Sequence, residues 1–226
     1  MLLPNRRNCK RQSAALDLRR GLRYIWGMTT PQRIVIGISG ASGVILGIRM
    51  LETVRRLGVE SHLIMSRAAE VTLAHETDWK VTQVRALADV AHGITDIAAP
   101  VSSGSFRTLG MIVAPCSIRT MSEIATGVTS SLLTRAADVT LKERRPLILM
   151  VRETPLHLGH LRTLTQLAEM GAVICPPVPA FYTRPASVDD LVDHAVGRAL
   201  DLVGLDSGRV RRWGEPPSEP PETADV

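Results

Sequence analysis

The sequence predicts a single α/β domain in which helices cover both faces of a mostly parallel β-sheet. From Arg33 onward, short β-branched and apolar runs alternate with longer segments of helical periodicity, the pattern of strands joined by crossover helices. The chain has 226 residues, of which 45% are hydrophobic and 22% charged, as expected of a domain that buries a core. Its longest apolar runs are far shorter than the roughly 18 to 20 residues of a membrane-spanning helix.

The first half of the domain is predicted to contain two strands and two helices. We expect a strand at 33–38 and a helix at 42–57, because Val44, Ile48 and Leu51 recur at helical spacing. A second strand at 59–65 and a helix at 68–76 follow. Residues 77–109 lose this periodicity, and the Pro/Ser/Gly-rich part at 100–105 is typical of a loop.

The second half continues the alternation of strands and helices. Buried strands are expected at 111–114 and 147–151, and a short strand at 172–175. Helices are predicted at 118–125, 131–144, 160–170 and 188–203.

The positive charge of the chain lies at its N-terminus. Residues 1–27 carry seven basic groups and one acidic group, whereas the remainder carries 20 basic and 21 acidic groups. The near-neutral remainder argues against the basic surface of a nucleic-acid-binding domain. We expect residues 1–27 to be either a disordered extension or a mis-called start, with Met28 as the natural first residue. Residues 28–215 should form the domain, and 216–226 a Pro-rich tail.

The cysteine content indicates a reducing compartment. Cys9, Cys116 and Cys175 are odd in number and lack metal-type spacing, so we expect free thiols and a cytoplasmic protein. Cys116 has no suitably spaced partner for a cysteine hydrolase, and His157 with His160 lacks a third metal ligand of convincing spacing.

Small and hydroxyl residues follow three of the predicted strands. The turn at 37–43 reads GISGASG and lets backbone N–H groups approach an anionic phosphate. It lacks both the G-x-G-x-x-G and the G-x-x-x-x-G-K-[ST] spacing, which disfavours a dinucleotide or ATP site. A mononucleotide phosphate, a flavin edge or a plain tight turn remains open. Ser66 and Ser117 follow two further strands, although either could be only a helix N-cap.

Charged residues on two further segments are candidates for phosphate binding and proton transfer. Arg135 and Lys142 lie two helical turns apart on one predicted face, which suits either a phosphate or a solvated helix surface. Glu153 follows the strand at 147–151, where an acid or base is expected in this architecture.

In this order the motifs resemble the UbiX family of flavin prenyltransferases over residues 33–215. The motifs are GASG at 40–43, HETD at 75–78, APCS at 114–117, RAAD at 135–138, LKERRP at 141–146, RETP at 152–155, FY at 181–182 and RRWGE at 211–215. The resemblance implies a Rossmann-like flavoprotein fold, a homo-oligomer and a metal-independent transfer of a dimethylallyl group from dimethylallyl phosphate to reduced FMN. The prenylated FMN would serve a UbiD-type decarboxylase.

The resemblance also implies roles for individual residues. Glu76 and Glu153 would act as acids, bases or phosphate-handling carboxyl groups. Ser42 and Lys142 would also be catalytic. Substrate contacts fall on Lys142, Tyr182, Arg198 and Trp213. FMN contacts fall on Gly40, Ala41, Ser42, Ser66, Ser117, Ile118, Arg119, Thr120 and Arg135.

Two other functions are compatible with the same fold. One is an FMN-dependent decarboxylase of the cysteine decarboxylase type, whose Asn-rich signature is not visible in this sequence. The other is a non-enzymatic FMN-binding accessory subunit of an aromatic acid decarboxylase. Ser130 and Ser131 stand where the family commonly has an Asn-containing stretch, and the N-terminal extension is unusual for it.

Overall fold

The computed structural model describes residues 31–214 and has the expected α/β architecture. Within these residues six strands form one sheet in the order β3-β2-β1-β4-β5-β6, and every neighbouring pair is parallel. This order places the topological switch point between β1 and β4, where open α/β sheets bind their ligands. The strands are β1 (Arg33–Ile38), β2 (Glu60–Met65), β3 (Val90–His92), β4 (Met111–Cys116), β5 (Leu147–Val151) and β6 (Val173–Ile174).

Seven α-helices in the described chain cover the two faces of the sheet. They are α1 (Ile45–Arg56), α2 (Arg67–Glu76), α3 (Val81–Leu87), α4 (Ile118–Ala125), α5 (Leu132–Lys142), α6 (Leu158–Glu169) and α7 (Val188–Asp201). One core contains buried residues of α1, α2, α3 and α7, and the other contains those of α4, α5 and α6. The central strand β1 contributes side chains to both cores, with Ile34 and Ile36 in the first core and Val35 in the second. A strand buried on both faces therefore has an almost continuous apolar sequence.

Most predicted elements agree with the structure, and three agree to the residue. The strands at 33–38 and 147–151 and the helix at 118–125 have the predicted bounds. Helix α1 begins three residues later than predicted, because Gly43 adopts a φ of 98° that cannot continue a helix. Strand β4 extends through Pro115 to Cys116, with an irregular register against β5 between Val113 and Cys116.

The structure corrects the expectation of an irregular segment at 77–109. Helix α3 has seven residues and buries only Val84, while β3 has three residues and exposes Val90 and Ala91. Neither element is long enough to show a period in the sequence. His92, at the end of β3, is held by a hydrogen bond between its Nε2 and Nδ1 of His62 at 3.0 Å.

The predicted extension at 1–27 and the tail at 216–226 lie outside the described residues. Over residues 31–214, no helix combines the length and the hydrophobicity needed to cross a membrane.

Candidate functional site

A cavity of about 410 Å³ opens at the carboxyl edge of the sheet, beside the switch point. We call it the switch-point cavity. Five of the predicted cofactor residues line it, namely Gly40, Ser66, Ser117, Arg119 and Thr120. Ser130 and Ser131, which depart from the usual pattern of the family, also line it. The remaining lining residues carry no motif in the sequence and are Arg67, Ala68, Ile94, Thr95, Glu123 and Leu133.

Three helices begin at this cavity, and each has a serine N-cap. The Ser66 hydroxyl accepts the Ala69 N–H at 3.1 Å at the start of α2. The Ser117 hydroxyl accepts the Thr120 N–H at 3.3 Å at the start of α4, and the Ser131 hydroxyl accepts the Thr134 N–H at 3.4 Å at the start of α5. These serines do serve as N-caps, and their position also places three positive helix-dipole ends at one cavity. The arrangement favours an anion such as a phosphate.

The β1–α1 turn is fastened to β4 by a serine that the sequence analysis passed over. The fully buried Ser39 donates its hydroxyl to the Pro115 carbonyl at 2.9 Å and accepts the Ser117 N–H at 2.7 Å. This pair of bonds fixes the distance between the two loops of the switch point. The only signal for Ser39 in the sequence is its place within the small-residue turn.

Gly40 forms the part of the cavity wall where the turn approaches α2. A Cβ atom at Gly40 would lie 2.3 Å from the Cβ of Ala68, far inside van der Waals contact. The absence of a side chain at Gly40 therefore allows the β1–α1 turn to contact the start of α2. Ala41, beside it, is buried but does not line this cavity.

The far wall of the cavity comes from the segment that follows β3 and from the region between α4 and α5. The Ile94 carbonyl accepts the Leu132 N–H at 2.8 Å, which holds these two parts together. Glu123 accepts hydrogen bonds from Arg119 and Ser130. Burial raises the pKa of Glu123, but these two bonds and the Arg119 charge outweigh it and leave the pKa below its usual range.

A second cavity, of about 230 Å³, lies between the β1–α1 turn, residues 177–179 and α7. We call it the proline-walled cavity. Its lining includes Ser42, Arg152, Pro177, Val178 and Pro179, and is otherwise mostly apolar. Ser42 was predicted to contact FMN together with Gly40, but the structure directs these neighbours to different cavities.

Glu76 binds the turn that begins α1. One of its carboxylate oxygens accepts the backbone N–H groups of Gly43 at 2.8 Å and Val44 at 3.1 Å. Burial raises the pKa of Glu76, but hydrogen bonds from the Ser42 side chain and these two N–H groups, with the charge of Arg152, lower it overall. At neutral pH Glu76 is therefore a carboxylate and can accept, but not release, a proton.

Three further predicted residues, Arg135, Ile118 and Glu153, also do not line the switch-point cavity. Arg135 pairs through Nη1 with Asp138 Oδ2 at 2.7 Å. Ile118 packs against the core beneath α4. Glu153 is exposed at the end of β5, with one carboxylate oxygen accepting the Thr154 N–H at 2.9 Å.

The predicted phosphate-binding residues divide into two groups. Lys142 ends α5, pairs with Glu143 and lies against Gly104. Because β5 begins only at Leu147, Lys142 lies near the amino edge of the sheet. Arg198 is on α7, which packs on the opposite face from α5. The structure therefore does not bring Lys142 and Arg198 together within one chain.

Tyr182 and Trp213 lie on the same side of the molecule as Arg198. The Tyr182 ring contacts that of Trp213 edge to face, with a centroid distance of 5.4 Å, and that of His194 at 5.8 Å. His194 is one helical turn from Arg198 on α7. Trp213 is 82% exposed, an unusually high exposure for a large aromatic side chain.

The two described cysteines are free thiols. Complete burial raises the pKa of Cys116 to about 12, which makes the thiol unreactive. His157 and His160 stack with ring centroids 3.6 Å apart, and Nδ1 of His157 caps α6. Among residues 31–214, three or more metal-ligating side chains do not converge at any point.

Comparison with known proteins places this geometry in a family. The profile of the Flavoprotein family matches residues 26–200. The flavin prenyltransferase UbiX of Escherichia coli K12 is 58% identical over 185 residues, which cover 80% of this chain and 98% of that protein. UbiX of Thauera aromatica is 55% identical over 181 residues, covering 80% and 93% of the two chains.

Solved structures agree with these relatives. The crystal structure of AnUbiX (PadA1) in complex with FMN and dimethylallyl pyrophosphate is 54% identical, with a TM-score of 0.81 and coverage of 82% of this chain and 98% of that chain. The FMN-dependent cysteine decarboxylase TvaF is 17% identical with a TM-score of 0.56, a likeness of fold alone. Identities above 50% across almost the full length of the relatives show that this chain belongs to the UbiX family of flavin prenyltransferases.

Proposed function

We propose that the chain transfers a dimethylallyl group from dimethylallyl phosphate to reduced FMN, with the flavin in the switch-point cavity. The observation that carries this proposal is the meeting of three serine-capped helix N-termini, those of α2, α4 and α5, at one cavity. The complex of AnUbiX with FMN and dimethylallyl pyrophosphate supports the choice of ligands.

The switch-point cavity fits a flavin mononucleotide in shape and charge. The N-terminal turns of α2 and α4, with Arg67 and Arg119 on the cavity wall, suit the FMN phosphate. Gly40 lines the cavity at the point where the turn packs directly against Ala68 of α2. Ile94 and Leu133 provide an apolar wall for the ring system.

The reduced flavin supplies the nucleophile of the reaction, and the residues of the chain handle the leaving group. Breaking the allylic C–O bond releases phosphate, whose negative charge cationic side chains stabilise. We assign this task to Lys142, Arg198 and the Tyr182 hydroxyl, with Trp213 shielding the allylic group. Because Lys142 lies on the opposite face from Arg198, we infer that one phosphate site takes these residues from different subunits of a homo-oligomer.

The carboxylates and Ser42 have different tasks in this scheme. The depressed pKa of Glu76 suits a hydrogen-bond acceptor that orders Ser42 and the turn after β1. Glu153 is exposed at the strand end and is our candidate for proton transfer. Arg135 would reach the flavin only if its ion pair with Asp138 opened or a subunit contact changed it.

The proposal extends to partners and location. The prenylated FMN would pass to a UbiD-type decarboxylase, in keeping with the family's activity. The cytoplasmic location rests on the free thiols of Cys116 and Cys175.

Mass spectrometry of the flavin tests the proposal directly. The protein is incubated anaerobically with reduced FMN and either dimethylallyl phosphate or dimethylallyl pyrophosphate. We expect the flavin to gain one dimethylallyl group with the monophosphate, and inorganic phosphate to be released in equal amount. An unmodified flavin with both donors would contradict the proposed function, whereas product from the pyrophosphate alone would correct the donor.

A further inference from the structure

A buried histidine outside both cavities contacts the proposed phosphate-binding tyrosine. His194 on α7 is only 8% exposed, whereas Tyr182 is 45% exposed. The His194 Nε2 lies 3.2 Å from the Tyr182 hydroxyl oxygen. The two rings meet edge to face, and Trp213 contacts the Tyr182 ring as well. The Tyr182 ring thus contacts both the imidazole of His194 and the indole of Trp213, and its hydroxyl lies within hydrogen-bond distance of the imidazole.

The hydrogen bonds around this hydroxyl determine which group donates. The Tyr182 hydroxyl lies 3.3 Å from the Arg211 carbonyl and donates to it. A carbonyl oxygen can only accept. With the phenol hydrogen donated to this carbonyl, we assign His194 the tautomer in which Nε2 carries the hydrogen and donates to the phenol oxygen.

The surroundings of His194 keep its ring neutral near pH 7. Burial lowers the pKa of His194, and the positive charge of Arg198 lowers it further. The Arg211 backbone and Asp201 act in the opposite direction and do not compensate. Asp201 is itself engaged by Arg198 and Arg212. A neutral imidazole carries one hydrogen, so its position on Nε2 fixes the tautomer.

We propose that His194 is a positioning residue for the transfer reaction, holding the Tyr182 oxygen by an Nε2–H bond so that the phenol hydrogen can turn from the Arg211 carbonyl to the donor's phosphate. This assignment rests on the proposed function. When the phosphate binds, it takes the place of the Arg211 carbonyl as the acceptor of the phenol hydrogen. His194 continues to donate its Nε2–H to the Tyr182 oxygen. A phenol that accepts one hydrogen bond also donates a stronger one.

Two substitutions of His194 separate this role from simple packing. His194→Gln places an amide N–H near the position of Nε2, whereas His194→Leu keeps an apolar volume but no donor. We expect His194→Leu to raise the KM for dimethylallyl phosphate or slow its turnover by roughly 3- to 10-fold, the range of one neutral hydrogen bond. FMN affinity should not change. His194→Gln should recover most of the loss, and the exposed His75→Leu serves as the matched control.

A double-mutant cycle with Tyr182→Phe provides the decisive comparison. If His194 acts through the phenol, His194→Leu should cause no further loss once the hydroxyl is absent. The same cycle is measured by calorimetry of inorganic phosphate binding to the flavin-loaded protein, which needs no turnover.

The possible outcomes separate this inference from the function on which it rests. An equal loss from His194→Leu in both backgrounds, or no loss in either, would overturn the role of His194 while leaving prenyl transfer intact. Wild-type kinetics in Tyr182→Phe would overturn both the His194 role and the place of Tyr182 in the phosphate site. Failure of the wild-type protein to prenylate FMN counts against the proposed function, and the calorimetric cycle then still decides whether His194 orients Tyr182.

Discussion

At Gly40, the absence of one Cβ atom decides the shape of the candidate flavin cavity. The gap between this residue and the start of α2 is too small for any side chain, since a Cβ would lie 2.3 Å from that of Ala68. The φ angle of Gly40 is not in the left-handed region, so the requirement for glycine is steric and not conformational.

We therefore predict that Gly40→Ala lowers FMN affinity by about tenfold or more, because the turn must move away from α2. Fluorescence titration with FMN measures the effect. Adding Ala68→Gly should restore most of the affinity by removing the opposing methyl group. Gly93→Ala is the control, since its nearest neighbour would be 3.8 Å away. Failure of the double variant to recover would show that the Ala68 methyl group is not the main obstacle, since the Ala68 backbone would still lie 3.1 to 3.2 Å from the new Cβ.

Glu76 gives a second prediction at the same scale. Its carboxylate acts as an N-terminal cap for α1 through Gly43 and Val44, so Glu76→Gln should cost about 1 kcal/mol of unfolding free energy at neutral pH. The folded-state pKa of Glu76 is depressed. Its contribution is therefore complete above the ordinary value of 4.5 and is lost as the pH falls through the lower, folded-state pKa.

Urea unfolding of wild type and Glu76→Gln across this pH range tests the linkage. The difference in unfolding free energy should shrink as the pH falls below the ordinary glutamate value. A difference that stays constant down to the lowest pH at which the protein folds would argue against an ionised cap.

At the scale of elements, α7 carries Arg198 and His194, and α1 holds it in place. Arg49 on α1 is paired with Asp193 and, at 2.9 Å, with Asp189, both on α7. The side chains of Arg49 and Asp193 are only 16% and 19% exposed, so solvent screens this pair less than a surface ion pair. Asp189 is 71% exposed, and its pair with Arg49 contributes less. The position of Arg198 and His194 relative to the sheet thus depends on a contact between two helices far apart in sequence.

We predict that Arg49→Ala destabilises the protein by about 2 kcal/mol, because it removes charge-assisted hydrogen bonds to two carboxylates on another helix. Arg119→Ala is the comparison, since that side chain is 84% exposed and pairs only with Glu123 on its own helix. We expect it to cost about 0.5 kcal/mol or less. Thermal and urea unfolding measure the stability of both variants. Equal losses of unfolding free energy would show that the ion pairs between α1 and α7 stabilise the protein no more than an exposed pair within one helix.

At the scale of the whole molecule, the residues proposed for the phosphate site lie apart in the described chain, and several large apolar side chains are exposed. Lys142 and Arg198 lie on opposite faces of the sheet. Val178, Phe181 and Trp213 are more than 70% exposed near the Arg198 side of the molecule, and such surfaces are typical of subunit contacts. A UbiX-like decarboxylase of Escherichia coli O157:H7 with 46% identity is dodecameric.

A mixed-subunit experiment follows from this geometry. Lys142→Ala and Arg198→Ala should each slow prenyl transfer strongly while FMN remains bound. Co-expression of the two variants should restore activity, because random assembly gives roughly a quarter of the sites both intact residues. Each variant expressed alone is the control. If the mixed oligomer is no more active than its parents, both residues must serve a site within one subunit.

Much of the fold follows from the sequence alone. The alternation of apolar runs and helical periods predicts the parallel sheet, and β1, β5 and α4 are predicted to the residue because each is bounded by clear strand or cap signals. Short elements such as α3 and β3 are not predictable in this way, since three to seven residues carry too little periodicity. Likewise the motifs identify the family, because their order is specific even where each motif is weak.

Only the tertiary structure decided how the candidate site is divided. Sequence neighbours Gly40 and Ser42 face different cavities, and Ile94, Thr95 and Glu123 reach the switch-point cavity from segments without any motif. His194 carries no sequence signal, since its role arises from a contact with Tyr182 formed when α7 packs beside the chain after β6. The physical reason is common to these cases. Local sequence sets the propensity and burial of each element, but distances between side chains depend on how sheet order and helix packing bring distant segments together.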